Sequence, residues 1–317
     1  MIETRTPQLE HIENIEGRRG RNTEISFTFV RHSQKTSGRV YTEDGSELID
    51  ADITEKGKSR AADYGREMFS DRQIKKAYAT DKDRTRQTLE ASFQAAGINP
   101  TILQKEEKIR AFFALPATPT SPEFRKKQED AMRLQRDEYI TEHFPGQKFE
   151  ELGPDGQEEV AEFAEEPAFE WYLSFDNKRP DKDTPSPREL AASVAFKINR
   201  LINLPDFMPS DKSIDLVSAG HKTSTEAFLK YTLSREINGK QKVGLQTLAE
   251  IGGSLKILDS WDLQIKNNEN GEKSVILVLR RENGETKQYG LDLKTVQELA
   301  REYFEQNGFK PLKIDSL

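Results

Sequence analysis

Apolar and polar positions divide the chain into short apolar runs alternating with amphipathic stretches. Ile25 to Val30 is β-branched and aromatic with partial alternation, the pattern of a buried strand, and it ends at Arg31, His32 and Ser33. After a polar stretch over 34–53, Thr54 stands where it can cap a helix reaching about Phe69, with Ala61, Ala62, Gly65 and Met68 at helical spacing. Lys75 to Thr80 predicts a second strand, Asp83 to about Ala96 a helix with Leu89, Phe93 and Ala96 on one face, and Thr101 to Gln104 a third strand. A β-α-β-α-β order of this kind implies a parallel sheet with right-handed crossovers.

Regularity then breaks over about 109–185, where Pro116, Pro119, Pro122, Pro145, Pro154, Pro167, Pro180 and Pro185 punctuate charged helical stretches. A segment of this length inside an α/β domain reads as a helical insertion or lid. The pattern resumes at Ser186 to Glu189, a capping box with proline at the first helical position, and continues as a helix to about Ile202. Ser213 to Ser218 predicts a strand, Ala219 to Lys222 a turn, and Thr223 to Glu226 a second capping box opening a helix. Strand-like runs at Lys256–Ile265, Ser274–Arg281 and Thr286–Tyr289 are separated by Asn270-Gly271 and Asn283-Gly284, the strongest hairpin signal, and so form antiparallel edge strands. A last helix spans about Leu293 to Gln306. The fold class is therefore α/β: three layers, α/β/α, on a mostly parallel sheet. Residues 1–24 read as a flexible leader and 25–317 as one domain carrying the insertion.

Composition narrows the chemistry. With no cysteine among 317 residues, disulfides, thiolate nucleophiles, cysteine-type zinc sites and iron–sulfur clusters are excluded. A net charge of -7 disfavours nucleic-acid binding, because the phosphate backbone is held mostly by surplus Lys and Arg; the basic run Gly17 to Arg21 reads as a solvated arm. No stretch approaches the ~18 apolar residues of a membrane span, and the first residues lack the apolar centre of a signal peptide, so a soluble cytoplasmic protein without membrane partners is expected. Nothing in the pattern specifies an oligomeric state. A negative protein that handles phosphate must gather positive charge in one place.

Of the four histidines, His11, His32, His143 and His221, the second and fourth follow predicted strands. Ligands in open α/β sheets bind outside the carboxyl ends of strands, so His32 and His221 are candidates to meet there. His11 and His143 have no partners at useful spacing. Phe29-Val30-Arg31-His32-Ser33 resembles the Arg-His-Gly signature of the histidine phosphatase, or phosphoglycerate-mutase-like, superfamily. Thr54-x-x-Gly57-x-x-x-Ala61 resembles the start of its next helix, Arg84-Thr85-Arg86-Gln87-Thr88 resembles its Arg-Thr-x-Gln-Thr, and Ser218 to His221 stands at its second histidine. Four such pieces in order, each at a strand-to-helix junction, are a far more specific signal than any one of them.

The resemblance implies a metal-independent phosphatase without cofactors. His32 would accept the phosphoryl group, and Arg31, Arg84 and His221 would bind its oxygens. A neutral imidazole is nucleophilic near neutral pH, and the charged equatorial oxygens call for guanidinium forks and helix N–H donors. Two departures stand out. Ser33 replaces the usual glycine, implying an altered backbone or a hydroxyl near the phosphate, and Lys222 occupies the place of an aspartate found in the family's acid phosphatases. Glu106 and Glu107 are the candidate proton donors; a member without an acid is restricted to good leaving groups. The expected substrate is a phosphorylated small molecule or phosphoprotein. The alternatives are a non-catalytic phospho-ligand binder and a mutase-like phosphotransferase, although the glycine- and tryptophan-rich segment of the mutases has no clear counterpart.

Overall fold

The computed structural model describes residues 19–35, 52–104, 114 and 120–308. Within them lie the strands β1 (Thr23–Arg31), β2 (Ile74–Ala79), β3 (Ser213–Gly220), β4 (Leu233–Ile237), β5 (Lys240–Val243), β6 (Ser260–Asn267), β7 (Lys273–Arg280) and β8 (Thr286–Leu291). The helices are α1 (Glu55–Phe69), α2 (Asp83–Ala95), α3 (Pro122–His143), α4 (Pro154–Leu173), α5 (Pro187–Asn203), α6 (Lys222–Thr232) and α7 (Leu293–Gln306). Short 3₁₀ turns join some of them.

All the strands form one sheet in the order β2-β3-β1-β6-β7-β8-β4-β5. Successive side chains of β1 point to opposite faces of the sheet, and each face seeds a core. Ile25, Phe27 and Phe29 pack with Trp261, Leu263 and Leu277 against Val194, Phe228 and Leu299 of α5, α6 and α7. Val30 faces the other way, with Ala77, Ala79 and Val217 against Ala61, Leu89 and Phe93 of α1 and α2. This alternation makes the three α/β/α layers. The parallel share is smaller than the sequence implies: β2, β3 and β1 pair in parallel, and the remaining pairings are antiparallel.

Several boundaries differ from the sequence reading for identifiable reasons. Thr101–Gln104 is not a strand; Asn99 caps a single 3₁₀ turn over Pro100–Ile102, and only Leu103 makes a bridge, to Ala77. β3 runs on to Gly220, and α6 starts at Lys222 with an extended His221 as its N-cap. Glu226 therefore does not fold back on Thr223: its Oε1 accepts from Ser254 Oγ at 2.6 Å and Leu255 N at 2.7 Å. β6 starts at Ser260 because 256–259 form a turn, with Leu258 at φ +61°. The β4–β5 hairpin, turning at Asn238-Gly239, was missed. Residues 1–18 of the predicted leader and 36–51 of the polar stretch lie outside the described residues, whereas Gly20 N bonds Met208 O at 2.9 Å.

Between 120 and 185, α3 and α4 pack on each other. Phe124, Tyr172 and Leu173 root them in the main core, while Ile140, Leu152 and Val160 form a separate small cluster farther along. Among the described residues no helix is long and apolar enough to cross a membrane.

α1 and α2 meet where a methyl group at Gly65 would lie 2.0 Å from the Ser92 carbonyl oxygen, a backbone atom that cannot turn aside. Gly156, in the first turn of α4, has only ordinary contacts at 3.4 Å and beyond. Gly65→Ala is expected to lower the urea midpoint by the equivalent of about 2 kcal/mol, and Gly156→Ala to leave it unchanged or raise it by up to ~1 kcal/mol. Equal effects of the two substitutions would refute this helix packing.

Candidate active site

The parallel pairing of β1 with β3 sets Arg31 opposite Gly220. The next residue of each chain segment, His32 and His221, therefore leaves the same end of the sheet beside the other. The two rings lie 5.2 Å apart at 65°, both are buried, and His32 N donates to Gly220 O at 3.2 Å.

His32 Nδ1 lies 2.8 Å from the Ser33 carbonyl oxygen. A carbonyl only accepts, so Nδ1 carries the proton and Nε2 keeps its lone pair. Burial pushes the His32 pKa well below the usual 6.5, and His221, Arg31 and Arg84 push it further; the Ser33 carbonyl opposes them. His221 is lowered likewise, first by burial and then by Arg84, Arg31, Lys82 and Lys35. Two neutral imidazoles thus stand among fixed cations. His221 Nε2 lies 3.3 Å from Thr80 Oγ1.

Arg84 is buried in the first turn of α2, and the residues after it explain their own motif. Thr85 Oγ1 accepts from Thr80 N at 3.1 Å and donates to Lys82 O at 2.7 Å. Thr88 Oγ1 accepts from Ser33 N at 2.9 Å and donates to Arg84 O at 2.7 Å. Gln87 Oε1 accepts from Ile53 N at 2.9 Å, at the approach to α1. The motif clamps the exit of β1 and the entry to α1 onto α2. Arg86 points outward, pairing with Asp83 at 2.7 Å and Glu90 at 2.9 Å.

The Ser33 hydroxyl is committed within the chain. Its Oγ donates to Gly57 O at 2.7 Å, and a methyl group at Gly57 would stand 2.4 Å from Gln34 O, so the β1 exit is packed hard against α1. Arg31 extends Nη1 to Leu255 O at 2.6 Å and Nη2 to Glu165 Oε2 at 3.1 Å. The Leu255 segment is itself held by Glu226 and by Arg281, which donates to Ile251 O and Gly253 O at 2.7 and 2.8 Å.

Sequence reasoning missed Glu165 and the use made of Lys222. Asp155, Glu158, Glu162 and Glu165 are spaced three, four and three apart, so they share one face of α4. Asp155 pairs with Lys56, Glu158 with Arg60 and Gln34, Glu162 with Lys256 at 3.7 Å, and Glu165 with both Arg31 and Lys222, the latter at 2.8 Å. Lys222 is buried, with Nζ 4.2 Å from the centre of the Phe169 ring. Between this face, α3 and the sheet end lies a cavity of about 590 Å³ that includes Arg31, His32, Gln34 and Glu165 in its wall. Glu106, Glu107 and His11 lie outside the described residues. His143 is exposed, its ring centre 4.1 Å from that of Tyr139 at a tilt of 33°. Among the described residues no group of three or more His, Asp or Glu is arranged to hold a metal.

The depressed histidines make stability depend on pH in a defined sense. Below about 6.5 the unfolded chain takes up protons that buried His32 and His221 do not, so stability falls as pH drops from 7 toward 5, by up to ~1.4 kcal/mol per pH unit for each ring. In urea titrations at pH 7, 6 and 5, the double variant His32→Gln/His221→Gln should show a shallower slope than the wild type. An unchanged slope would mean that the rings are not held neutral.

No family model matches the sequence, and no curated protein matches it significantly. Among solved structures, it is similar to a mycobacterial glucosyl-3-phosphoglycerate phosphatase, with 12% identity over 85% of this chain and 97% of the other and a TM-score of 0.42. It is also similar to a Hafnia alvei phytase, with 11% identity over 90% and 97% of the two chains and a TM-score of 0.45. A mutant phosphoserine phosphatase from Entamoeba histolytica gives 14%, 79%, 94% and 0.39 in the same order. At these identities the likeness concerns the fold. In its motifs the chain resembles the histidine phosphatase superfamily, and in this structure Arg31, His32, Arg84 and His221 of those motifs come together.

Proposed function

We propose that this protein is a metal-independent phosphatase that forms a phosphohistidine on His32. The observation that supports this reading most is the His32 ring itself. Its Nδ1 proton is committed to the Ser33 carbonyl, its Nε2 lone pair is free, and a second neutral histidine and two arginines surround it. In the first step Nε2 attacks phosphorus as the bond to the leaving oxygen breaks, and the leaving group departs as its oxyanion, which suits a good leaving group such as an aryl oxide. In the second, water attacks the phosphohistidine, releasing phosphate and the free imidazole. Arg31 and Arg84 stabilise charge on the equatorial oxygens, His221 donates to them from a ring N–H, and the first N–H groups of α6 add a favourable dipole.

Glu165 occupies Arg31 and Lys222 from the α4 side, so an incoming phosphoryl group competes with a carboxylate for the same cations. That engagement favours a second reading, a phospho-ligand binder without efficient turnover. A cavity of about 590 Å³ suits a phosphorylated small molecule and is large for phosphate alone.

The two readings part in one experiment. Mixed with a ³²P-labelled aryl phosphate and quenched, the phosphatase should yield an acid-labile, base-stable phosphoenzyme that His32→Ala abolishes, and turnover should survive chelator. Arg84→Ala should lower turnover by roughly 10²-fold or more, while exposed Arg86→Ala changes it less than about threefold. Label retained in His32→Ala sinks the assignment, and binding without label or turnover favours the second reading.

A further inference from the structure

The cavity holds a cation that the phosphate chemistry does not use. Arg136 of α3 lies in its wall, together with Met132 one turn earlier, Phe149, and Gln157 on the facing α4. Its guanidinium carbon is 4.8 Å from the centre of the Phe149 ring. Its Nε is shielded from solvent and has no hydrogen-bond partner among the described residues, nor does any of their carboxylates form an ion pair with this guanidinium. Lys35, three residues after His32, is a second cation in the wall, and the carboxylates that α4 contributes to it are paired among the described residues. Glu158 goes to Arg60, Glu162 to Lys256, and Glu165 to Arg31 and Lys222. Glu129 lies on the exposed rim, seven residues and so about 10 Å from Arg136 along the same helix. On the α3 wall Arg136, held against a ring, has no carboxylate partner among the described residues.

We infer that Arg136 is a second anion subsite and that the substrate carries a further carboxylate or phosphate beyond the group transferred to His32. The inference rests on the phosphatase reading for the position of the first anion. A guanidinium lying on an aromatic ring keeps its edge available for a forked contact and gives up little freedom on binding. Met132 and Phe149 offer apolar surface to the part of the substrate that joins the two anions, and at about 590 Å³ the cavity has room for both. Arg136 is thus a specificity-determining residue, acting on affinity rather than on the chemical step.

The test is a ladder of ω-carboxyalkyl phosphonates of increasing chain length, each paired with its uncharged ω-amide and measured by titration calorimetry on the full chain. At one spacer length the carboxylate is expected to bind tenfold or more tighter than its amide. Arg136→Met should erase that preference and Arg136→Lys keep part of it, with methylphosphonate affinity unchanged in both. Absence of a preference at every length, a preference for the amide, or a preference that survives Arg136→Met overturns the subsite. The wild-type ladder decides the point even if a variant fails to fold. Phosphonates that bind equally well with either end group refute the subsite alone, whereas no phosphonate binding at all removes the phosphatase reading and the subsite with it.

Discussion

Everything at this site depends on the parallel pairing of β1 with β3. The register that puts Arg31 opposite Gly220 delivers two histidines, 189 positions apart in sequence, to the same sheet end with their rings 5.2 Å apart. A slip of one residue would turn Ile25, Phe27 and Phe29 out of the core they share with Trp261, so hydrophobic burial guards the register that sets the two histidines side by side. α2 then adds a second constraint. Thr88 holds Ser33 N on one side and Arg84 O on the other, which ties the backbone next to His32 to the helix that carries the second arginine.

The electrostatics follow from burial. In the open, His32 and His221 would be partly protonated near neutral pH; buried and among Arg31 and Arg84 they stay neutral, the form in which an imidazole is nucleophilic. A chain with net charge -7 gathers cations at this one end and covers them with the acidic face of α4. Glu165 thereby occupies Arg31 and Lys222 from within the chain. Such pairing lowers the cost of collecting like charges, and it leaves Arg31 and Lys222 engaged by a carboxylate rather than by water.

How much of this the sequence carried depended on range. Arg31, His32, Arg84 and His221 sit in local motifs at strand-to-helix junctions, and each could be read from its neighbours. The acids on α4 could not. Their three-four-three spacing is also that of a solvated helix face, and what makes Glu165 different is contact with Arg31 and Lys222, 134 and 57 positions away. Ser33 was read by analogy with glycine, but the hydroxyl finds its partner across the chain at Gly57. Local signals also failed at the sheet margin. The β4–β5 hairpin is short, and its outer strand is exposed and built from Lys240, Gln241, Lys242 and Val243, so it lacks the apolar alternation by which strands are recognised. Thr101–Gln104 looked like a strand, but the Asn99 cap at Pro100 bends it into a 3₁₀ turn.

The central claim is that His32 Nε2 is the phosphoryl acceptor, within reach of Arg31, Arg84 and His221. A crystal structure with orthovanadate tests it most directly, because vanadium can adopt the five-coordinate geometry of phosphorus in transfer. The account predicts vanadium in line with His32 Nε2, equatorial oxygens on Arg31, Arg84 and His221, and the Glu165 carboxylate displaced from Arg31. Vanadate bound away from His32, or bound there through Nδ1 with the Ser33 contact broken, would contradict it.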